Sequence, residues 1–148
     1  MIQQQCRRGD TRALTEVGGL RYLVVALLAV VTAACATLSP TSPTEEKVRV
    51  VKERAAARWK AILDKEFDAA YSYLSPASRA TVTQAGFKTV ASRLNYRAAE
   101  VKEVTCEAET CRVRLQITYD ARLMQGVHTP LEESWVIDKG QAWYVWPL

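Results

Sequence analysis

Cysteines are the residues of this sequence with the clearest chemistry. Four occur, Cys6, Cys35, Cys106 and Cys111, beside a single histidine, His128. Four residues separate Cys106 from Cys111, which excludes a redox C-x-x-C motif, and two thiolates with one histidine cannot close a tetrahedral metal shell. We therefore expect no metal or cofactor. If the chain is exported, a disulfide between Cys106 and Cys111 is predicted.

Cys35 follows a segment typical of an export signal. Arg21 precedes an apolar run over residues 22–31, and small residues follow it up to Cys35. The run is shorter than the roughly twenty apolar residues that a membrane-spanning helix needs. Residues 31–35 read Val-Thr-Ala-Ala-Cys and resemble the bacterial lipoprotein pattern, except that Thr32 stands where leucine is usual.

This resemblance implies cleavage before Cys35 and lipidation of its side chain. Because Ala36 rather than aspartate follows, it also implies sorting to the outer membrane, with the domain facing the periplasm. Cleavage after Ala34 or Ala36 without a lipid, or an uncleaved anchor, are the alternatives.

The charges leave a nearly neutral domain behind the signal. The whole chain has 20 basic and 16 acidic residues, and removing residues 1–34 leaves 16 and 14. Both signs are interspersed, so no basic patch for nucleic acid is predicted. We divide the chain into a signal peptide (1–34), a lipidated cysteine with an extended Pro/Ser/Thr tether (35–44) and one domain (45–148).

The first half of the domain has helical periodicity. Ser42 as N-cap, Pro43 and Glu45 predict the start of a long helix, in which apolar residues recur at spacings of three and four. A second, short helix follows. Ser75 opens a third helical stretch, which Gly86 is expected to interrupt.

The second half has the period of antiparallel strands. If Cys106 lies opposite Cys111, Glu103 faces Arg114 on the solvated side of the first hairpin. Further back, Val101 is out of phase with Val104, which predicts a β-bulge or twist near Lys102.

Two more strands are predicted at residues 131–138 and 141–147. The sequence Asp-Lys-Gly at 138–140 is a tight-hairpin signal between them. Residues 124–130, which contain glycine and proline, are predicted as a looser loop, and His128 as an exposed loop histidine rather than part of a Ser-His-Asp triad. The acidic run at 64–68 resembles the start of a calcium loop but lacks its glycine and its glutamate.

The element order and three segments resemble the nuclear transport factor 2-like superfamily, specifically its small lipoprotein members. The segments are residues 58–64 (Arg-Trp-Lys-Ala-Ile-Leu-Asp), 67–76 (Phe-Asp-Ala-Ala-Tyr-Ser-Tyr-Leu-Ser-Pro) and 133–144 (Glu-Ser-Trp-Val-Ile-Asp-Lys-Gly-Gln-Ala-Trp-Tyr). The resemblance implies an α+β fold in which N-terminal helices pack on a curved antiparallel sheet of about four strands, with a cavity between them. It implies no single activity, because this fold hosts enzymes, binding domains and scaffolds.

Ketosteroid-isomerase-like members of the superfamily need an inward carboxylate base and a phenol. Glu133 alternates with Trp135 and would share its inward side, where it could pair with Tyr119 or Tyr71. The alternative is a Glu133 that lies at a rim and pairs with an arginine.

We expect a non-enzymatic binding or scaffolding domain at the cell envelope. Its partners would be the membrane, through the lipid on Cys35, and a protein of the envelope. The alternatives are a cavity for a small apolar ligand, or less favoured, an isomerase-like enzyme that uses Glu133. The candidate ligand-binding residues are Trp59, Tyr71, Tyr119, Glu133, Trp135 and Trp143.

Overall fold

The computed structural model describes residues 37–93 and 95–147, in which helices precede strands. The helices are α1 (Thr44–Leu63), α2 (Phe67–Tyr71), α3 (Pro76–Thr81) and α4 (Gln84–Ala91). The strands are β1 (Asn95–Glu107), β2 (Thr110–Ala121), β3 (Met124–Asp138) and β4 (Gln141–Val145). The strands form an antiparallel sheet in the order β1-β2-β3-β4, which confirms the predicted α+β class. Cys35 and the predicted signal peptide lie outside the described residues.

Helix α1 buries one face along its whole length. Val51, Ala55, Arg58 and Ile62 follow one another at spacings of four, three and four, and all are buried. The helix begins later than predicted, with Pro43 rather than Ser42 in the N-cap position.

The break in the third helical stretch lies before Gly86, not at it. Ser75 caps α3 as predicted, because its Oγ accepts a hydrogen bond from the Ser78 backbone N–H at 3.1 Å. Thr83 caps α4, and its Oγ1 accepts from the Gly86 N–H at 3.1 Å. Gly86 therefore lies in the first turn of α4, because the threonine starts a new helix three residues earlier.

The first hairpin has the predicted register and the predicted bulge. Its opposed pairs include Cys106–Cys111, Val104–Val113 and Glu103–Arg114. A shift between Val101 and Glu103 places the irregularity at Lys102. The structure also confirms the disulfide between Cys106 and Cys111, whose Cα atoms are 4.1 Å apart.

Strand β3 is longer than predicted, because residues 124–130 are strand rather than loop. Pro130 pairs with Gln116 of β2. Among the described residues β4 pairs only with 134–138, so the first part of β3 lies at an edge, where proline is tolerated. His128 is accordingly an exposed strand residue and not a loop residue.

The segment predicted as an extended tether packs against the domain from Leu38 onward. Leu38 is 3% exposed, and its N–H donates to the Gly140 carbonyl at 3.1 Å. Lys47 Nζ donates to the carbonyl of Pro40. Gly140 has a φ of +80°, and a Cβ at this position would lie 2.3 Å from Thr37 Cγ2, so the turn requires glycine.

The core lies between the helices and one face of the sheet. Phe87 and Trp135 are fully buried there, as are alternate residues of β2. Burying an apolar side chain of this size contributes about 1.5–3 kcal/mol. In β3 the same alternation brings Glu133 into the core beside Trp135 and Ile137.

Candidate functional site

A pocket of about 240 Å³ lies between α1, α4 and the helix-covered face of the sheet. Val90 and Leu131, each 39% exposed, are at its rim. Apolar walls with a few polar groups are typical of small-molecule sites. The apolar lining is Trp59, Ile62, Phe87, Val90, Ala91, Leu131, Trp146 and Pro147, and the polar lining is Arg58, Tyr96, Glu133 and Tyr144.

Glu133 is the buried acid of this pocket, at 3% exposure. Its Oε1 accepts hydrogen bonds from Arg58 Nη1 at 2.7 Å and from Trp59 Nε1 at 2.8 Å. Its Oε2 accepts from Trp135 Nε1 at 3.1 Å. Three of its roughly four acceptor positions are therefore occupied. The structure brings Glu133 together with an arginine, but in the core and not at an exposed rim.

Arg58 balances the charge of Glu133 and is itself 3% exposed. The guanidinium carbon lies 3.7 Å from the centre of the Tyr144 ring, a cation–π contact that covers one guanidinium face. Arg58 Nε is buried and has no hydrogen-bond partner in the part of the chain that the structure describes. The pair is therefore matched in charge but not fully satisfied in hydrogen bonds.

Two tyrosines complete the polar lining. Burial raises the pKa of Tyr144 to about 12, although the nearby Arg58 charge acts in the opposite direction. Burial also raises the pKa of Tyr96, whose ring packs edge-on against Trp59 at 5.3 Å. Both phenols are therefore protonated at neutral pH.

Of the residues predicted to bind a ligand, Trp59 and Glu133 line this pocket. Trp135 lies beside Glu133 and donates to it, but it is fully buried. Tyr71 packs against Phe87 at 5.7 Å and does not line the pocket; its hydroxyl donates to the Val82 carbonyl at 2.9 Å.

Tyr119 and Trp143 are also outside the pocket lining. Tyr119 packs behind Tyr96, with ring centres 6.4 Å apart. The Trp143 ring lies 5.5 Å from the guanidinium of Arg54 and 5.4 Å from that of Arg79. A ligand-binding role for the six predicted residues stays a prediction. The pocket lining supports this role for Trp59 and Glu133.

Arg58, Tyr96 and Tyr144 are the polar residues of the pocket that sequence reasoning missed. A signal for Arg58 was present, because it lies three residues after Ala55 and four before Ile62, in the middle of the apolar face of α1. A charged residue at such a position is buried only when it is paired. The spacing therefore indicated that Arg58 has polar partners in the core.

The structure of this chain is similar to those of several solved proteins. No protein-family model and no curated protein matches the sequence. A solved protein from Campylobacter jejuni, described as an NTF2-like transpeptidase, matches with a TM-score of 0.52 and 9% identity, over 66% of this chain and 98% of that one. The chain therefore has a nuclear transport factor 2-like fold, as its residues led us to expect.

Two proteins that contain a SEC-C motif are also similar in structure. The one from Rhodopseudomonas palustris has a TM-score of 0.55 and 11% identity, over 63% of this chain and 73% of that one. The one from Psychrobacter arcticus has a TM-score of 0.57 and 10% identity, over 68% of this chain and 60% of that one. At these identities the likeness concerns the fold alone.

Within residues 37–93 and 95–147, no helix is both long and apolar enough to cross a membrane. No group of three or more His, Cys, Asp or Glu side chains in these residues is placed to hold a metal ion.

Proposed function

We propose that this chain is an exported, lipid-anchored domain that binds a small, largely apolar ligand at the cell envelope and catalyses no reaction. Its ligand site is the pocket between α1, α4 and the sheet. The observation that carries the proposal is Glu133, a carboxylate that lines an open pocket while three neighbouring donors occupy its oxygens.

The arrangement of Glu133 disfavours proton transfer. A general base needs a lone pair within hydrogen-bond reach of the substrate. To take a proton, Glu133 would have to give up its charge beside Arg58, which would leave a buried cation without its partner. Uncompensated buried charges cost several kcal/mol. The pair therefore suits a fixed, neutral wall of a binding site better than an acid–base site.

The walls of the pocket favour an apolar ligand. Aromatic and aliphatic side chains form most of the lining, and Val90 and Leu131 remain partly exposed at the rim. Covering this surface removes apolar area from water, which favours binding by about 25 cal/mol per Å². A buried charge pair beside the apolar walls would fix the orientation of a bound molecule.

The pocket is tested with n-propylbenzene as the probe, by ¹H–¹⁵N NMR of the full chain. We expect the indole N–H signal of Trp59 to shift with saturation. Leu131→Trp fills the rim and should weaken binding at least tenfold, while the matched control Leu123→Trp should bind normally, since Leu123 is 95% exposed and outside the pocket lining. No shift in the natural sequence, or equal effects of both variants, would contradict the proposed site.

The anchor is tested separately. The Cys35→Ala variant should lose its acyl mass and leave the membrane fraction, whereas Cys6→Ala, within the predicted signal, should behave like the natural sequence. Unchanged fractionation of Cys35→Ala would show that something other than a lipid on this residue holds the chain.

A further inference from the structure

We propose that a surface at the edge of β4 rests on the anionic phospholipid headgroups of the membrane that holds the lipid anchor. This β4-edge surface consists of the side chains of Arg54, Tyr73, Arg79 and Trp143. The proposal deepens the proposed function and rests on its lipid anchor, because it says which side of the anchored domain faces the membrane.

Two arginines share one indole ring in the β4-edge surface. The guanidinium carbon of Arg54 lies 5.5 Å from the centre of the Trp143 ring, and that of Arg79 lies 5.4 Å from it. Arg79 is exposed, and Arg54 and Trp143 are partly exposed, so a headgroup can reach them. In the part of the chain that the structure describes, neither arginine has a carboxylate within ion-pair distance. Two positive charges therefore remain uncompensated at this surface.

The arginines on the solvated face of the sheet differ in this respect. Arg112 lies 3.1 Å from a carboxylate oxygen of Glu132, and Arg114 lies 3.0 Å from one of Glu103. Each of these pairs is neutral as a whole, so its field falls off quickly with distance. The solvated face therefore has no net attraction for an anionic membrane, whereas the β4-edge surface has.

The residue types of the β4-edge surface are those that proteins place at the membrane interface. Tryptophan and tyrosine are enriched at the depth of the headgroups. Each arginine close to an anionic bilayer strengthens binding about fivefold. Because the anchor already holds the domain at the membrane, two arginines are enough to select an orientation.

The start of the described chain places the anchor beside this surface. Leu38 is fixed on Gly140 by a hydrogen bond of 3.1 Å. Cys35 precedes Leu38 by three residues, which span at most about 11 Å. Trp143 follows Gly140 by three residues of β4, a rise of about 10 Å. A lipid on Cys35 would thus enter the bilayer within reach of the β4-edge surface.

The opposite side of the same end of the domain is acidic. Lys47 Nζ donates to the Ala108 carbonyl at 2.9 Å, which holds the start of α1 against the turn between β1 and β2. The acidic residues of these two segments are Glu45, Glu46, Glu107 and Glu109. Because β1 and β4 are opposite edges of the sheet, an anionic membrane repels one side and attracts the other. The domain should therefore tilt about its anchor toward β4.

Fluorescence quenching by spin-labelled headgroups tests this tilt. The lipidated full chain is placed in phosphatidylcholine vesicles with or without phosphatidylglycerol, and a single added cysteine carries the fluorophore. Thr44→Cys reports on the acidic side and Ala80→Cys on the β4-edge surface, and both positions are exposed. With phosphatidylglycerol, we expect several-fold stronger quenching at position 80 than at position 44. High salt should remove this preference, because it screens the arginines.

Two matched double variants assign the tilt to the arginines. Arg54→Gln/Arg79→Gln removes both uncompensated charges, which together account for a preference of about thirtyfold, so the quenching at position 80 should fall below that at position 44. Arg112→Gln/Arg114→Gln removes the same number of charges from the paired arginines and should keep the natural order.

Each contrary result has a distinct meaning. Stronger quenching at position 44 in the natural sequence would overturn the proposal and leave the β4-edge surface to an acidic protein. The same preference with and without phosphatidylglycerol, or equal effects of the two double variants, would overturn the role of charge. A natural chain that does not float with the vesicles would overturn the lipid anchor as well, whereas the binding of n-propylbenzene tests the pocket independently. If Arg54→Gln/Arg79→Gln does not fold, the lipid and salt dependence of the natural sequence still decides.

Discussion

Arg54 and Arg58 lie one turn apart on α1, and both contact aromatic rings, yet their surroundings differ. Arg58 is buried, pairs with Glu133 at 2.7 Å and lies over Tyr144. Arg54 is partly exposed and donates through Nε to the Ala142 carbonyl at 2.6 Å. Its guanidinium lies 5.0 Å from the ring centre of Tyr73, and no carboxylate partner is found for it among the described residues.

The charges of Arg54 and Arg58 are stabilised differently because the two side chains are buried to different degrees. Burial lowers the pKa of Arg54, an effect that Tyr73 partly offsets, but water still reaches the side chain and no counter-ion is needed. Arg58 is 3% exposed, and the Glu133 carboxylate lies in the core with it. Arg58 and Glu133 therefore place a charged pair in the wall of the apolar pocket. Arg54 does not line this pocket.

Removing the buried charge should have the largest effect. Arg58→Leu removes the charged partner of the buried Glu133 carboxyl group, and breaking a buried pair in this way costs about 3–5 kcal/mol. We expect this loss in the free energy of unfolding, measured by urea denaturation at neutral pH.

The double variant Arg58→Leu/Glu133→Leu is the control for that experiment. It removes both charges, so it should recover much of the stability lost by Arg58→Leu alone. A double variant no more stable than Arg58→Leu would contradict the account of a compensated buried pair.

Removing the disulfide should destabilise the chain without changing the contacts of either arginine. Cys106→Ala/Cys111→Ala should lower the free energy of unfolding by about 2 kcal/mol, since the crosslink closes a short loop. The affinity for n-propylbenzene should stay unchanged in folded protein. A large loss of affinity would mean that the pocket depends on the register of the first hairpin.

The buried phenol above Arg58 should make stability depend on alkaline pH. The pKa of Tyr144 is about 12 in the folded chain against about 10 when unfolded, so above pH 10 the unfolded chain releases a proton that the folded chain keeps. Stability present below pH 10 is therefore lost as the pH rises toward 12, by about 1–2 kcal/mol at about pH 11.

Tyr144→Phe isolates this contribution from the other titrating groups. The stability difference between the natural sequence and Tyr144→Phe should change by that amount between about pH 9 and about pH 11. A difference independent of pH over this range would place the phenol in contact with solvent.

Arg54 should give the smallest effect. Arg54→Leu removes one hydrogen bond and the contacts with Tyr73 and Trp143, but the charge is partly hydrated and no ion is left unpaired. Cation–π contacts at exposed sites contribute about 0.5–1 kcal/mol. A loss as large as that of Arg58→Leu in the same urea experiment would remove the distinction between the two positions.

The sequence predicted much of the fold because its signals were local. The Cys106–Cys111 pair predicted the register of the first hairpin, and the phase of the apolar residues before it predicted the bulge at Lys102. The first part of β3 was missed because glycine and proline favour loops, although an edge strand accepts both. The packing of Leu38 on Gly140 joins residues about a hundred positions apart and has no local signal.

The site was predictable only in part, because its main contacts join residues that lie far apart in the sequence. Strand alternation brings Glu133 to the inner face beside Trp135, which is one of the two positions that the sequence left open for it. The partner Arg58 is 75 residues away, and its place on the apolar face of α1 does not say which acid it meets. Tyr144 was predicted within a strand, but its stacking on Arg58 depends on how α1 packs against the sheet.

The most direct test of the account is native mass spectrometry of the full chain, released gently from its own membranes. We expect a bound small molecule in the natural sequence and in Leu123→Trp, and its loss in Leu131→Trp, which fills the rim of the pocket. A natural chain that carries no such molecule, or one that Leu131→Trp retains unchanged, would contradict the assignment of this pocket as the ligand site.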